Sequence, residues 1–171
     1  GNMTTIFRTP CILVPVLCAN LFLIAKPEIH VPLMHGQGVA CFSFSPDSKL
    51  LLTAGIFDNT IKIWDVATGK EIRTMSGHRS SINSVCASAD GKTALSCSSD
   101  LTIRRWDLAT GKEIAKWDCA MDMCRVALSP DKKTALLFSK VYEDAFSTLK
   151  IWDLNTGNEV SLFKIDAAGP S

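Results

Sequence analysis

From Val39 onward the apolar positions fall into short runs broken by turn-forming residues. Val39 to Phe44 stops at Pro46-Asp47, where proline presets the backbone and aspartate closes a turn; Leu50 to Ala54 stops at Gly55 and Asp58-Asn59. Thr60 to Trp64 alternates Ile61 and Ile63 with Thr60, Lys62 and Trp64, the period-two pattern of a strand. Thr68-Gly69 then turns the chain into Lys70 to Met75. Runs this short predict β-strands, four to a unit. A second unit follows at Ile82 to Ala87, Thr93 to Ser98, Thr102 to Trp106 and Lys112 to Trp117. A third follows at Met123 to Leu128, Thr134 to Ser139, Thr148 to Trp152 and Asn158 to Phe163.

The units are copies of one another. IKIWDVATGKEI (Ile61 to Ile72), IRRWDLATGKEI (Ile103 to Ile114) and LKIWDLNTGNEV (Leu149 to Val160) align without gaps, with tryptophans 42 and 46 residues apart. A second set of markers, Ser45-Pro46-Asp47, Ser88-Ala89-Asp90 and Ser129-Pro130-Asp131, keeps the same register. A repeat of this length suits a four-stranded unit that buries its faces against its neighbours.

With Trp-Asp pairs at 64–65, 106–107 and 152–153, and Gly77-His78 ahead of the second unit, residues 28 to 165 resemble the WD-repeat β-propeller family. The resemblance implies an all-β fold, a partial propeller of three four-stranded antiparallel blades. On that reading residues 26–34 form an outer or closing strand, 35–76, 77–117 and 118–165 the three blades, and 166–171 a tail. It further implies a hydrogen-bonded chain in each blade that links indole, strand hydroxyl, histidine and turn carboxylate: Trp64, Thr53, His35 and Asp58 in the first, Trp106, Ser96, His78 and Asp100 in the second. Buried polar groups need such partners, so the role is structural. In the first blade His35 follows Met34 rather than glycine. The third blade is degenerate: Asp118-Cys119 stands in place of Gly-His, Leu137 in place of the hydroxyl and Phe146 in place of the aspartate, which leaves Trp152 without its lock.

Composition narrows the function classes. A hydrophobic content of 47% suits a folded chain, and 18 basic against 17 acidic residues leave a net charge of +1, no field for holding a phosphate backbone. Nucleic acid is therefore not an expected partner. The seven cysteines include no C-x-x-C pair and read as small buried hydrophobes. Cys11 to Ala25 is uncharged and almost wholly apolar between Arg8 and Lys26, which fits a signal peptide over residues 1–25, a short membrane anchor, or strands of a preceding blade. An exported or anchored location follows from the first two readings and a cytoplasmic one from the third. A leader followed directly by such repeats resembles exported bacterial WD-repeat proteins, in which the propeller often accompanies a separate effector or enzyme domain.

No catalytic, metal or cofactor site is expected. His35 and His78 are spoken for by the repeat, and Ser147-x-x-Lys150, a pattern of some acyl-transfer enzymes, falls on a strand rather than the helix that chemistry uses. Recognition is expected instead on the loops, which propeller blades present on rigid strands. The resemblance places on one face Gln37, Ile56, Phe57, Asn59, Arg79, Ser80, Leu101, Met121 and Asp122. To these it adds an insertion, Lys140 to Phe146, in which Tyr142 and Phe146 flank Glu143 and Asp144. Exposed aromatics of this kind anchor interfaces, or else simply cover the edge of a degenerate blade. The function read from the chain is a protein-interaction scaffold, part of a longer propeller or completed by self-association, with the recruiting arm of a larger enzyme as the alternative. The expected partners are other proteins or peptides.

Overall fold

A computed structural model describes residues 35–36, 38–122, 124–140 and 146–166. The proposed leader, anchor or strand over 1–34 lies outside them, as do Gln37, Met123, residues 141–145 and the tail from 167. Twelve strands are present among the described residues, in three antiparallel sheets of four. The first sheet holds β1 (Val39–Phe44), β2 (Leu50–Gly55), β3 (Thr60–Asp65) and β4 (Glu71–Ser76). The second holds β5 (Ile82–Ala87), β6 (Thr93–Ser98), β7 (Thr102–Asp107) and β8 (Glu113–Asp118). The third holds β9 (Arg125–Leu128), β10 (Thr134–Lys140), β11 (Phe146–Asp153) and β12 (Asn158–Asp166). Each sheet is a simple meander, the architecture of a propeller blade.

The repeated sequence builds repeated local chemistry. Ser45, Ser88 and Ser129 each donate a hydroxyl proton to the aspartate two residues on, at 2.6 Å, and each hydroxyl oxygen accepts a backbone N–H from the start of the next strand. Asp65 and Asp107 accept the N–H of Thr68 and Thr110 at 2.7 Å, and Asp153 that of Thr156 at 3.0 Å, closing the turn after each Trp-Asp pair. Gly69, Gly111 and Gly157 follow with φ of 66–74°, the left-handed conformation that glycine adopts without a Cβ clash. A register shift falls immediately before each of Trp64, Trp106 and Trp152, so the same bulge recurs in every blade.

The core lies in the two seams between blades. Leu52, Ala54, Ile61, Ile63 and Met75 of the first blade pack against Ile82, Val85, Ala94, Trp106 and Leu108 of the second. Leu95, Cys97 and Ile103 of the second pack against Cys119, Val126, Leu137 and Trp152 of the third. Each sheet thus carries a leading face turned to the blade before it and a trailing face turned to the blade after it.

The third blade departs from the sequence reading at its irregular end. Lys140 pairs with Ser147, and Phe146 pairs with Asp166, so both lie in strands rather than in a loop, and only residues 141–145 separate β10 from β11. The extra length that reads as an insertion is partly taken up in longer strands, because extending a hairpin satisfies its backbone donors and acceptors at once. Among the described residues no helix is long and apolar enough to cross a membrane.

Candidate functional site

Two polar chains run through the interior. Trp64 Nε1 donates to Thr53 Oγ1 at 2.7 Å, that hydroxyl lies 2.9 Å from His35 Nε2, and His35 Nδ1 lies 2.6 Å from Asp58 Oδ2. In the second blade Trp106 Nε1 donates to Ser96 Oγ at 2.8 Å, Ser96 Oγ lies 2.7 Å from His78 Nε2, and His78 Nδ1 lies 2.9 Å from Asp100 Oδ2. Only one set of protons satisfies every atom. The indole donates to the hydroxyl, the hydroxyl to Nε2, and the Nδ1–H to the carboxylate, which requires a neutral imidazole. Burial acts in the same direction, holding His78 below the ordinary histidine range despite the opposing pull of Asp100. Burial also pushes Asp100 upward, but its hydrogen bonds from Thr102, the Arg79 N–H and His78 outweigh that push and keep it well below the usual carboxylate range.

Close packing fixes the approach of these groups. A Cβ at Gly55 would stand 2.5 Å from His35 Nδ1, and one at Gly77 would stand 2.7 Å from the Arg104 guanidinium and 3.1 Å from the Trp106 ring. The glycine of the Gly-His pair in the second blade thus lets the backbone lie close against the Arg104 guanidinium and the Trp106 ring.

The third blade is built differently. Cys119 and Leu137 are buried, and the Trp152 indole N–H is buried without a hydrogen-bond partner. The Cys119 thiol donates to the Leu101 carbonyl at 3.3 Å instead of joining a carboxylate. Burial pushes the thiols of Cys41 and Cys86 up to about 11, and hydrogen bonding to Cys124 together with burial raises Cys119 further, which leaves these sulfurs unreactive as nucleophiles near neutral pH. No group of histidine, cysteine or carboxylate side chains among the described residues is arranged to hold a metal. Ser147 and Lys150 lie on β11, and the Lys150 ammonium pairs with Glu159 at 2.9 Å.

At one end of the blades the turns between second and third strands meet the connections that carry the histidines: Ser81 Oγ donates to the Ile56 carbonyl at 2.6 Å, and the Cys119 N–H to the Leu101 carbonyl at 2.9 Å. Phe57 is 66% exposed there and Leu101 45%, while Arg79 projects into solvent with its backbone N–H held by Asp100 at 2.9 Å. Asn59 and Leu101 occupy the same turn position, with φ of 56° and 64°. Asparagine tolerates that region through its short polar side chain, whereas a leucine there is strained. Met121, read from the sequence as part of this face, is buried in the seam between second and third blades, where its thioether fills apolar space. Tyr142, Glu143 and Asp144 lie outside the described residues.

Family comparison fits this geometry. The model described as "WD domain, G-beta repeat" matches residues 28–65 and 69–107, which covers both locked repeats. The chain carries WD repeats over these residues. It is 35% identical over 81 residues to the Nuclear distribution protein PAC1-2 of Uncinocarpus reesii, covering 43% of this chain and 18% of that protein. With Eukaryotic translation initiation factor 3 subunit I of Debaryomyces hansenii it shares 29% identity over 121 residues, 71% of this chain and 34% of the other. With the Probable E3 ubiquitin ligase complex SCF subunit sconB of Arthroderma benhamiae it shares 56% over 41 residues, 24% of this chain and 6% of the other. The chain thus spans about a third or less of the length of these curated relatives. Among solved structures a chain of Kuenenia stuttgartiensis Hydrazine Synthase superimposes with a TM-score of 0.65 at 19% identity, over 74% of this chain and 37% of that one, a likeness of fold alone.

One feature of the WD repeats escaped the sequence reading. Lys62 pairs with Glu71 at 2.8 Å, Arg104 with Glu113 at 2.6 Å and Lys150 with Glu159 at 2.9 Å, each joining the third strand of a blade to its fourth. The signal lay in the aligned repeats: a base two residues before every Trp-Asp tryptophan and a glutamate nine residues after that base. Only Arg104 is deeply buried, and its second guanidinium nitrogen lies 3.6 Å from Asp100, which ties this pair to the lock.

Proposed function

We propose that this WD-repeat chain is a protein-interaction scaffold that grips a partner's polypeptide segment on the turn face carrying Phe57, Asn59, Arg79 and Leu101. The strained Leu101 carries the reading. A branched apolar side chain held in the left-handed region and left 45% exposed recovers only part of its backbone cost through burial, and residues held in such conformations cluster at binding and active sites. Phe57 supplies a second exposed apolar anchor beside it, and the guanidinium of Arg79 a hydrogen-bonding rim, the composition that interface centres favour. The arc itself is a portion of a propeller, since closed rings use about four to eight blades.

Panning a random-peptide library on the chain tests this. The wild type enriches a family of related peptides, and a Phe57→Ala, Leu101→Asn double variant with unreduced melting temperature loses that enrichment. Equal enrichment by both would overturn the assignment of the face.

A second reading, the recruiting arm of a larger enzyme, is favoured by the relative named as a subunit of an E3 ubiquitin ligase complex and by the small share of each relative that this chain spans. Finding a catalytic domain in the same reading frame would support it. A reading frame of further WD repeats alone would leave the scaffold reading standing by itself.

A further inference from the structure

Three copies of one turn join the first strand of each blade to its second, and the fourth residue of the turn differs among them. Ser48, Gly91 and Lys132 hold that position with φ of 58°, 66° and 62°, each donating its N–H to the serine carbonyl three residues back. Lys132 reaches across the second seam, and its ammonium donates to Asp90 Oδ2 at 2.8 Å. Asp47 is held in its turn as Asp90 is: Oδ1 of each accepts a serine hydroxyl proton at 2.6 Å and a lysine backbone N–H at 3.1 Å. Across the first seam from Asp47, however, stands Gly91, which has no side chain to send. A Cβ at Gly91 would meet Pro46 Cδ at 3.7 Å, so a side chain there would start against the Asp47 turn. Between the two turns lies a depression of about 220 Å³, walled by Pro46, Leu50 and Ala89 and carrying both Asp47 and Asp90. The Asp47 side chain is 56% exposed against 29% for Asp90. Among the described residues its Oδ2 meets only the Lys49 ammonium, at 3.9 Å and itself 80% exposed.

From the joint in the second seam we infer that its counterpart in the first takes a lysine of a partner protein, the ammonium on Asp47 Oδ2 and the methylene stem along Pro46, Leu50 and Ala89. The second seam specifies the ligand, because there the chain itself supplies a primary ammonium to the same oxygen of the same turn. Apolar walls beside a carboxylate suit lysine, which lays its stem on apolar surface and presents only its head to charge. With each Oδ1 committed to its own turn and Asp90 Oδ2 to Lys132, one oxygen remains, enough for an ammonium and too few for a metal ion. The long, solvated contact to Lys49 gives way to an ammonium seated from the depression. All the walls come from residues 45–91, in two blades that the first seam packs together. The site lies at the end of β2 opposite the Phe57 turn and so adds a second contact to the turn face.

Panning a random-peptide library on the Phe57→Ala, Leu101→Asn chain, whose turn face lacks its two apolar anchors, reads this site by itself. The enriched peptides should share a lysine, and adding either Asp47→Asn or Gly91→Lys should abolish that enrichment. Asparagine keeps the acceptor for Ser45 and the Lys49 N–H and removes only the charge. A lysine at position 91 adopts the φ that Lys132 already holds and fills the depression from within. Replacing the shared lysine of an enriched peptide with norleucine should weaken its binding to the parent chain at least about threefold, the worth of a half-exposed ion pair. This comparison uses the parent chain and so decides the matter even where a substitution unfolds the protein. No lysine-bearing family, a family that survives either substitution, or a norleucine peptide that binds equally well would each overturn the inference. The lysine family is the one that the Phe57 and Leu101 substitutions leave in place, so this site and the turn face fail separately.

Discussion

The indole of Trp106 donates to the hydroxyl of Ser96 at 2.8 Å, and in the next blade Leu137 stands where that hydroxyl would be, leaving the buried indole of Trp152 with no acceptor. The same tryptophan position therefore costs and contributes differently in adjacent blades.

Trp106→Phe removes the indole donor from the buried Ser96 hydroxyl, which keeps only its bond to His78 Nε2, and the loss of one such hydrogen bond costs about 0.5–1.5 kcal/mol beyond the lost packing. Trp152→Phe removes an N–H that already lacks a partner and so loses packing alone. Urea denaturation of the two variants should show Trp106→Phe as the more damaging; equal losses would contradict the difference between the blades. Asp100→Ala, which strips His78 of its acceptor, should cost about 2–4 kcal/mol by the same logic.

The lock should respond to acid. His78 titrates lower in the fold than in the unfolded chain, so as pH falls below about 6.5 the unfolded state binds more protons and stability declines. Asp100 is also depressed, so its contribution is present above the unfolded carboxylate pKa of about 3.9 and is lost as pH falls below that. Both effects have the same sign. Stability measured from pH 7 down to 4 should decline in the wild type and decline less steeply in His78→Gln; parallel curves would remove His78 as the cause.

Glu113→Ala should cost about 1–3 kcal/mol because it leaves the buried Arg104 guanidinium with only a 3.3 Å bond from Nε to Thr102 Oγ1 and the 3.6 Å contact to Asp100. Glu71→Ala should cost under about 1 kcal/mol, since Lys62 is the more exposed cation and turns to water. Chemical denaturation of the pair gives the ranking, and the reverse order would show that the tie between Arg104 and the lock carries no weight.

Leu101→Asn replaces a strained leucine with the residue type that Asn59 supplies at the equivalent turn. Relief of the left-handed cost should stabilise the chain by up to about 1 kcal/mol, seen as a rise in melting temperature. A lower melting temperature would mean that the leucine packs usefully, and would weaken its assignment to the binding face.

Much of this was legible in the chain. Alternating apolar runs and turn residues located all twelve strands, because strand and turn preferences act over a few residues and the repeat states them three times. The partners of Trp64 and Trp106 could be named through the family pattern, and the gap beside Trp152 through its breach in the third copy. The ends of the third blade's strands could not: whether residues 140 and 146 form a loop or longer strands depends on Lys140 meeting Ser147 and Phe146 meeting Asp166 on neighbouring strands of one sheet. Nor could the burial of Met121, which a local reading puts on the loop face and the second seam draws inward. Nor does the order of residues say that Leu52 and Leu95 end fully buried; each has a blade in front of it, and that is decided by surfaces meeting at long range.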